Sequence, residues 1–507
     1  MVRAEQVTGR QLIEMTLDPG TFTSWDEPLN ALAIEEPYRD ELVAARESSE
    51  HDESILTGEG LIDGLRVAVI VGEFSFLGGS IGVNAAGRIA AALERATRQA
   101  LPVLAAPVSG GTRMQEGTIA FLQMIKITEA VGSHKAAKLP YLVYLRHPTT
   151  GGVFASWGSL GHVTVAQTGA LIGFLGPKVY RALHGEDFPS GVQTAENLFQ
   201  HGLVDAVLDP ARLRMMAASA LHVMGTASSI ATAEVASTAL TVSNISEADA
   251  WKSVELSRRP GRPGLRSLLR YASSRTVPLS GTGQGESNTT SQIALATFGG
   301  RGVVVVGLDR RARGVASELG PGALRQARRG MSLASELGMP LITVIDTPGA
   351  ALSKEAEEGG LGAEIARSLA DLIDLDVPTV AVILGEGTGG GALALIPADR
   401  IVSASNGWLA PLPPEGASVI RFGDSNHGRE MAIDQRVSAS DLFLAGIVDE
   451  IVQEPADLAA APADFCRAIG HAVERQLDEL FRLDPWRRRA QRSMKYRDAG
   501  TASRPPQ

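Results

Sequence analysis

Residues 379–395 read TVAVILGEGTGGGALAL. An apolar, β-branched run ends in a glycine cluster, and Gly385, Gly387 and Gly390 satisfy the spacing GxGxxG. That spacing marks a dinucleotide site only where a strand leads into a full helix and an acidic side chain follows ~20 residues on, at the end of the next strand. Here Pro397 and Asp399 leave room for about two helical turns after the glycines. Two other readings remain. The glycines let a helix pack closely on a strand, or they bare the main chain at a helix start. Free N–H groups at a helix N-terminus converge on one spot, and without a Cβ in the way an oxygen anion can reach them.

A sister copy of this arrangement lies earlier in the chain. The first half begins GLRVAVIVGEFSF, runs through GRIAAALERATRQALPVLAAPVSGG and reaches LPYLVYLRHPTTGGVFASW. The second begins GRGVVVVGLDRRARG, runs through GALRQARRGMSLASELGMPLITVIDTPGA and reaches VPTVAVILGEGTGGGALAL. Both close alike, AENLFQHGLVDAVLDP against ASDLFLAGIVDEIVQEP. The offset, roughly 240 residues, is a duplicated domain and not a solenoid period. The sister cluster, PTTGGVFASW, has no GxGxxG, which weakens the dinucleotide reading further.

In VNAAGRIAAALERATRQA, Ile89, Leu93 and Ala96 recur at helical spacing, with Arg95, Arg98 and Gln99 on the other side. The runs VVVV (303–306) and LITVI (341–345) predict strands. Alternating strands and helices imply an α/β fold of parallel βαβ units. Each half offers two small-residue clusters: Gly110–Gly111 with Gly151–Gly152, and Gly349–Ala350 with Gly390–Gly391. Two oxyanion sites are the natural reading, and one such donor is worth about 2.7–4 kcal/mol of barrier.

Composition sets outer bounds. The chain has 507 residues, enough for two or more domains. Its net charge of −10 argues against a general nucleic-acid binder. A single cysteine, Cys466, excludes a disulfide framework or a Cys-rich zinc site and fits a reducing cytoplasm. The N-terminus lacks the apolar core of a signal peptide, and no apolar run reaches about 18 residues, so neither export nor a membrane span is expected.

Several stretches resemble a known family. FSFLGGSIG, PVSGGTRMQEG, LPYLVYLRHPTTGGVFAS and GALIGFLGP resemble the carboxyltransferase β subunit of bacterial acetyl-CoA carboxylase. RRPGRPG, DTPGA, EEGGLGAEIARSLADL, GEGTGGGALAL, LPPEGASVI and SASDLFLAGIVDEIV resemble its α subunit. The resemblance implies a β–α fusion with two tandem crotonase-like domains, each a superhelix of ββα units. A β-type domain (1–235) would hold the acyl-CoA thioester and an α-type domain (236–483) biotin, with 484–507 a basic tail that frays. The active site would lie between the N-domain of one protomer and the C-domain of another, which implies a homo-oligomer.

The implied chemistry needs two oxyanion sites. Carboxybiotin loses CO2, the ureido anion takes the α-proton of the thioester, and the enolate attacks CO2; acetyl-CoA would give malonyl-CoA. By position, Gly151 and Gly152 would serve the enolate, with Gly110 and Gly111 completing that site. Gly390 and Gly391 would serve the biotin urea oxygen, with Gly349 and Ala350 beside them. Arg113, after a glycine pair, is a candidate for the coenzyme A phosphates, as are Arg258, Arg259 and Arg262; a solvated basic loop is the other reading. Carboxylation of propionyl-CoA or another acyl-CoA, decarboxylation of a malonyl thioester, and a non-catalytic scaffold stay open.

Departures from the family carry their own expectations. Its zinc ribbon has no counterpart here, so no structural zinc is expected. TPGAALSKEAEEGG stands where the family often has an aromatic residue and a proline. There is no Met-Lys-Met biotinylation site and no P-loop. Biotin must therefore come on a separate carrier protein charged by a separate biotin carboxylase.

Other motifs have ordinary readings. Gly78–Gly79–Ser80–Ile81–Gly82 matches GxSxG but reads more simply as a loop before a helix. Glu116 could be a general base, whereas Glu355–Ala356–Glu357–Glu358 reads as a solvated helix start. His147 and His162 read as packing residues, and no spaced His/Cys set suggests a metal. The stretch 211–300, rich in Ala, Ser and Thr and containing GTGQGESNTT, reads as a flexible linker.

Overall fold

The computed structural model describes residues 4–29, 38–174, 177–227, 250–308 and 319–497. They form two compact units, one of residues 1–222 with 279–286 and one of 223–278 with 287–507. The division falls after residue 222, ahead of the expected boundary at 235.

Each unit is built on one sheet with the same plan. In the first, Ile55–Ile62 and Leu65–Gly72 form an antiparallel hairpin. Asp63 and Gly64 turn it with φ of 52° and 76°, the conformation that Asp-Gly supplies at little cost. Val103–Ala106, Tyr141–Leu145, Val163–Gln167 and Ala206–Leu208 then follow in parallel. The second unit repeats this with the hairpin Ser291–Phe298 and Arg301–Leu308, turned by Gly299 and Gly300 at φ 55° and 79°. Leu341–Thr347, Thr379–Thr388, Arg400–Ala404 and Glu450–Val452 continue in parallel. The central strands are buried along their whole length, so the sequence shows unbroken apolar runs there and no alternation.

The expected helix appears as Val83–Arg98, with Ile89, Leu93 and Ala96 fully buried. It packs on Gly117–Ala136. In the second unit Pro321–Leu337 packs on Leu361–Asp374 in the same way. The matching closing segments form short helices, Ala195–Gln200 and Ala439–Leu444, each capped by a hydroxyl, from Thr194 and Ser438.

Two expectations fail here. The stretch 211–300 is not a flexible linker where it is described. Pro210–Gly225 is a helix that buries Leu213, Ala217, Ala220 and Leu221, and further helices span Ala250–Ser257 and Leu265–Ala272. Strands occupy Arg275–Leu279 and Ser291–Phe298, while residues 228–249 lie outside the described residues. The basic tail is not frayed over its first half either: Pro485–Arg497 is a helix. Its anchor is Arg492, 1% exposed, which donates to both Asp399 oxygens (2.8 and 2.9 Å) and to the carbonyls of Leu372, Leu375 and Val377. The first two lie at the end of the helix Leu361–Asp374, where a cation is favoured, and Val377 follows just beyond it. Residues 498–507 lie outside the described residues.

Removing one partner of a buried, hydrogen-bonded pair leaves the other uncompensated. Arg492→Ala is therefore expected to lower the unfolding free energy by about 3 kcal/mol, read from the urea midpoint. An unchanged midpoint would mean the tail helix is not anchored to the second unit.

Candidate active site

In each unit the site is made of two turns of main chain brought side by side. The first turn follows the second parallel position of the sheet. Ser109 Oγ donates to the Gly111 carbonyl (3.0 Å) and accepts from the Gly111 N–H (2.9 Å). Gly111 takes φ 127°, a backbone open to glycine and to few other residues. In the second unit Thr347 Oγ1 does the same for Gly349, at 3.1 and 3.2 Å, and Gly349 takes φ 135°. The next residues, Thr112 and Ala350, form isolated parallel bridges to Ile81 and Leu319. In both, the bridge uses the neighbouring peptides: Ile81 N–H donates to Gly111 O and Arg113 N–H to Ile81 O, as Leu319 N–H does to Gly349 O and Ala351 N–H to Leu319 O. Among the described residues the Thr112 and Ala350 N–H groups have no acceptor.

The second turn is a short helix start. Thr150 precedes Gly151–Phe154, and Thr388 precedes Gly389–Leu393. The first glycine of each takes positive φ, 62° at Gly151 and 63° at Gly389. The second, Gly152 or Gly390, sits in the first turn, where no intrahelical acceptor exists, and neither N–H has another partner among the described residues. The two turns lie close. A Cβ on Gly151 would stand 3.5 Å from Gly111 Cα, and one on Gly152 3.6 Å from Thr112 Oγ1 and 3.2 Å from Met124. A Cβ on Gly391 would stand 3.5 Å from Ala350 N. Each unit thus presents a pair of donors without acceptors among the described residues, Thr112 with Gly152 and Ala350 with Gly390, beside glycines that carry no Cβ. Such a pair can hold an oxygen on which negative charge develops.

Four of the expected donors are spent internally. Gly110 N–H donates to Gly78 O (2.9 Å), Gly111 to Ser109 Oγ, Gly151 to Phe174 O (3.0 Å) and Gly349 to Thr347 Oγ1. They shape the site and leave the donating to their neighbours. Among the described residues the N–H groups of Gly152, Ala350, Gly390 and Gly391 have no acceptor, although Gly391 is itself buried. Thr112 was not foreseen. Its signal is the repeat: laying SGGTR on TPGAA with Gly111 on Gly349 puts Thr112 on Ala350.

Arg113 is also corrected. It is 1% exposed and cannot meet a phosphate. Its guanidinium pairs with Glu53 (2.5 and 3.1 Å), reaches Glu116 at 3.4 Å and donates to Ser80 O at 2.8 Å. Glu116 in turn accepts from Val83 N–H (2.6 Å) and from the Tyr38 hydroxyl (2.5 Å), so it caps the helix Val83–Arg98 and is not a free base. A Cβ at Gly82 would come within 2.3 Å of that carboxylate. Ser80 lies in a loop before the helix, as read, and accepts from Arg113 Nε (3.3 Å). Arg258 pairs with Glu386 (3.0 Å) and Glu415 (2.6 Å), and Arg262 with Glu454 (2.5 and 2.8 Å). Arg262 is thus an internal clamp and Arg258, one third exposed, is held by two carboxylates, whereas Arg259 is exposed. Among the described residues no three His, Cys, Asp or Glu side chains gather as a metal requires, and no helix is long and apolar enough to cross a membrane.

The histidines are structural. His147 Nδ1 lies 3.0 Å from the Leu171 N–H, and His162 Nδ1 takes the Tyr141 N–H at 3.0 Å. Burial, with Lys135 and His134 adding to it, pushes His162 down to about 3. The unfolded imidazole protonates near 6.5, so this group's contribution to stability is complete above that pH and declines as pH falls toward 3, by up to ~1.4 kcal/mol per pH unit. Urea melts at about pH 7.5 and 5.5 are expected to show His162→Gln losing less stability on acidification than the native chain. Equal losses would mean His162 does not titrate with unfolding.

The sequence matches the carboxyl transferase domain family over residues 3–491. It is 54% identical over 495 residues to a Mycobacterium tuberculosis protein named "Probable biotin-dependent acyl-coenzyme A carboxylase beta3 subunit", covering 98% of this chain and 99% of that one. It is 35% identical to the "Acetyl-coenzyme A carboxylase carboxyl transferase subunits beta/alpha" of Salinispora tropica, covering 96% and 90%. The fold is shared with the transcarboxylase 12S subunit solved with methylmalonyl-coenzyme A and methylmalonic acid, at TM-score 0.72 and 21% identity over 93% of this chain and 90% of that one. A duplicated α/β chain with one bare donor pair per copy, matched along nearly its whole length, belongs to the carboxyl transferase domain family.

Proposed function

We propose that the chain is the carboxyltransferase of a biotin-dependent acyl-CoA carboxylase. It would move a carboxyl group from biotin, borne on a separate carrier protein and charged by a biotin carboxylase, to the α-carbon of an acyl-CoA. The observation that carries this is the doubled pair of unpaired amides in a chain of this family: the reaction has two reactants, and each passes through an oxygen-centred anion. Both units are read as crotonase-like, the first as the β-type half that takes the thioester and the second as the α-type half that takes biotin. Acetyl-CoA, giving malonyl-CoA, is the substrate proposed. The Mycobacterium relative's name says acyl, so propionyl-CoA or a longer thioester is the alternative.

Thr112 and Gly152 N–H would hold the thioester carbonyl oxygen, so charge that develops there as the α-proton leaves meets two donors already in place. Their preset geometry spares the reorganisation that water would need. Ala350 and Gly390 N–H would hold the ureido oxygen of biotin in the same way. The donors fit that group because Gly391 carries no Cβ, which would stand 3.5 Å from Ala350 N and 2.9 Å from Leu319 Cδ2. When bound, biotin supplies the carboxyl group and a basic ureido nitrogen. No side-chain nucleophile is needed, which agrees with the internal pairing of Ser80, Glu116 and His162.

A homo-oligomer belongs to this reading. The helix Gly117–Ala136 leaves Ile119, Phe121 and Ile125 59–67% exposed, and Pro414–Phe422 leaves Val419 and Ile420 50% and 75% exposed. Apolar faces of this kind are usually covered by a partner.

The purified chain is expected to release CO2 from malonyl-CoA when free biotin or biocytin is supplied, and a panel of malonyl- and methylmalonyl-type thioesters will rank acyl length. No release from any of them, with the fold intact by circular dichroism, would end the proposal. Gly152→Val and Gly391→Val fill the two cradles and are each expected to lower turnover about 100-fold while the fold is kept. Full activity in both variants would remove the amide pairs from the mechanism.

A further inference from the structure

The helix Pro485–Arg497 is fixed by one face and bare on the other. Arg488 and Arg492, one turn apart, are buried; Arg488 donates to the Asp376 carbonyl and Arg492 pairs with Asp399. Lys495 reaches Asp449, and the Tyr496 hydroxyl donates to the Ile396 carbonyl at 3.0 Å. On the opposite face Trp486, Ala490 and Met494 recur at every fourth residue and form one stripe, with Trp486 71% and Met494 51% exposed. Arg487 and Arg497 flank the stripe. Both are exposed, and neither has a carboxylate partner among the described residues. Arg489, by contrast, is held by Asp374 at 2.6 Å.

Trp, Met and Arg are the side chains enriched where proteins meet, and Trp and Arg carry much of the binding energy there. In a chain of net charge −10, unpartnered arginines beside an exposed indole select an acidic surface. A second copy meeting this face about a two-fold axis would set the arginines against themselves. A membrane would need a broader apolar face than one side chain per turn. An acidic protein with a pocket for Trp486 satisfies both features. The place suits a lasting dock as well. Gly390 abuts Ile365 near the start of the helix Leu361–Asp374, where a Cβ would come within 2.6 Å. Arg492 grips the carbonyls of Leu372 and Leu375 at its other end, about two turns further on.

We propose that the Trp486–Met494 face docks the biotin carboxylase that charges the carrier, through an acidic surface of that enzyme. Held there, it keeps the carrier at high local concentration while the Ala350–Gly390 pair stays open to biotin. The identity of the partner rests on the carboxyltransferase reading; the choice of an acidic protein surface does not.

The test uses the full chain, the purified biotin carboxylase and biotinylated carrier of the same cell, and the variants Trp486→Ala and Arg487→Glu, both at exposed side chains. Calorimetry is expected to show that the native chain binds the carboxylase, less tightly as sodium chloride is raised, and that each variant binds about tenfold more weakly. ATP-dependent carboxylation of the acyl-CoA at limiting carboxylase should fall by a similar factor. Release of CO2 from malonyl-CoA with free biotin, and the mass of the chain in sedimentation, should not change. No binding by the native chain, or equal binding by all three, overturns the proposal. A lower mass in the variants assigns the face to contact between copies and overturns it too. So does retention of the native chain, but not the variants, on phosphatidylcholine–phosphatidylglycerol vesicles without binding to the carboxylase. A native chain that binds the carboxylase, and loses it in the variants, yet releases no CO2 from any thioester keeps the docking face and rejects the carboxyltransferase reading.

Discussion

The site depends on a hydroxyl that bonds twice to a glycine two residues on. Ser109 fixes Gly111 and Thr347 fixes Gly349, in both cases through the N–H and the carbonyl of the same residue. The glycines take φ of 127° and 135°, where an L side chain is strained. Held this way, the strand's flanking peptides satisfy each other, and the next N–H, at Thr112 or Ala350, has no acceptor among the described residues. Unpaired main-chain donors are costly where water is excluded. Their presence twice, on the same backbone scaffold, is the observation from which the proposed function starts.

Side chains brace these loops differently in the two copies. In the first unit the brace is Arg113 with Glu53, Glu116 and Tyr38. In the second it is Arg258 with Glu386 and Glu415, and Arg262 with Glu454 and the Leu384 carbonyl. Buried pairs of this kind add little net stability, because desolvation offsets most of the attraction. What they supply is a single arrangement of the loop, since any other leaves a charge without its partner. Duplication kept the main-chain geometry, while the side chains around it diverged.

Much of the fold was legible in residue spacing. Unbroken apolar runs marked buried parallel strands, and Ile89, Leu93 and Ala96 marked the helix that backs the site. The linker was misread because the helix Pro210–Gly225 buries mainly small side chains: Ala217 and Ala220 face inward beside Leu213 and Leu221, and alanine-rich composition masks that stripe. The tail helix was missed for the opposite reason. It is held by Arg492 and Arg488 reaching main-chain carbonyls, and no apolar stripe announces that. At the site the sequence clusters took in Gly152, Ala350 and Gly390, whose N–H groups have no acceptor among the described residues, and missed Thr112. Glycine is needed where φ is positive, at Gly111, Gly151, Gly349 and Gly389, and the peptide that follows does the donating. Thr112 has a side chain, so it carried no compositional flag.

Fixed amides suit the task proposed for each pair. An oxyanion that develops during a reaction is best met by donors already in place, because donors that must reorient give back part of the stabilisation they supply. Arg113, the residue after Thr112, is turned inward to Glu53 and the Ser80 carbonyl, where it holds the loop in one arrangement and leaves the cradle beside it to the main chain.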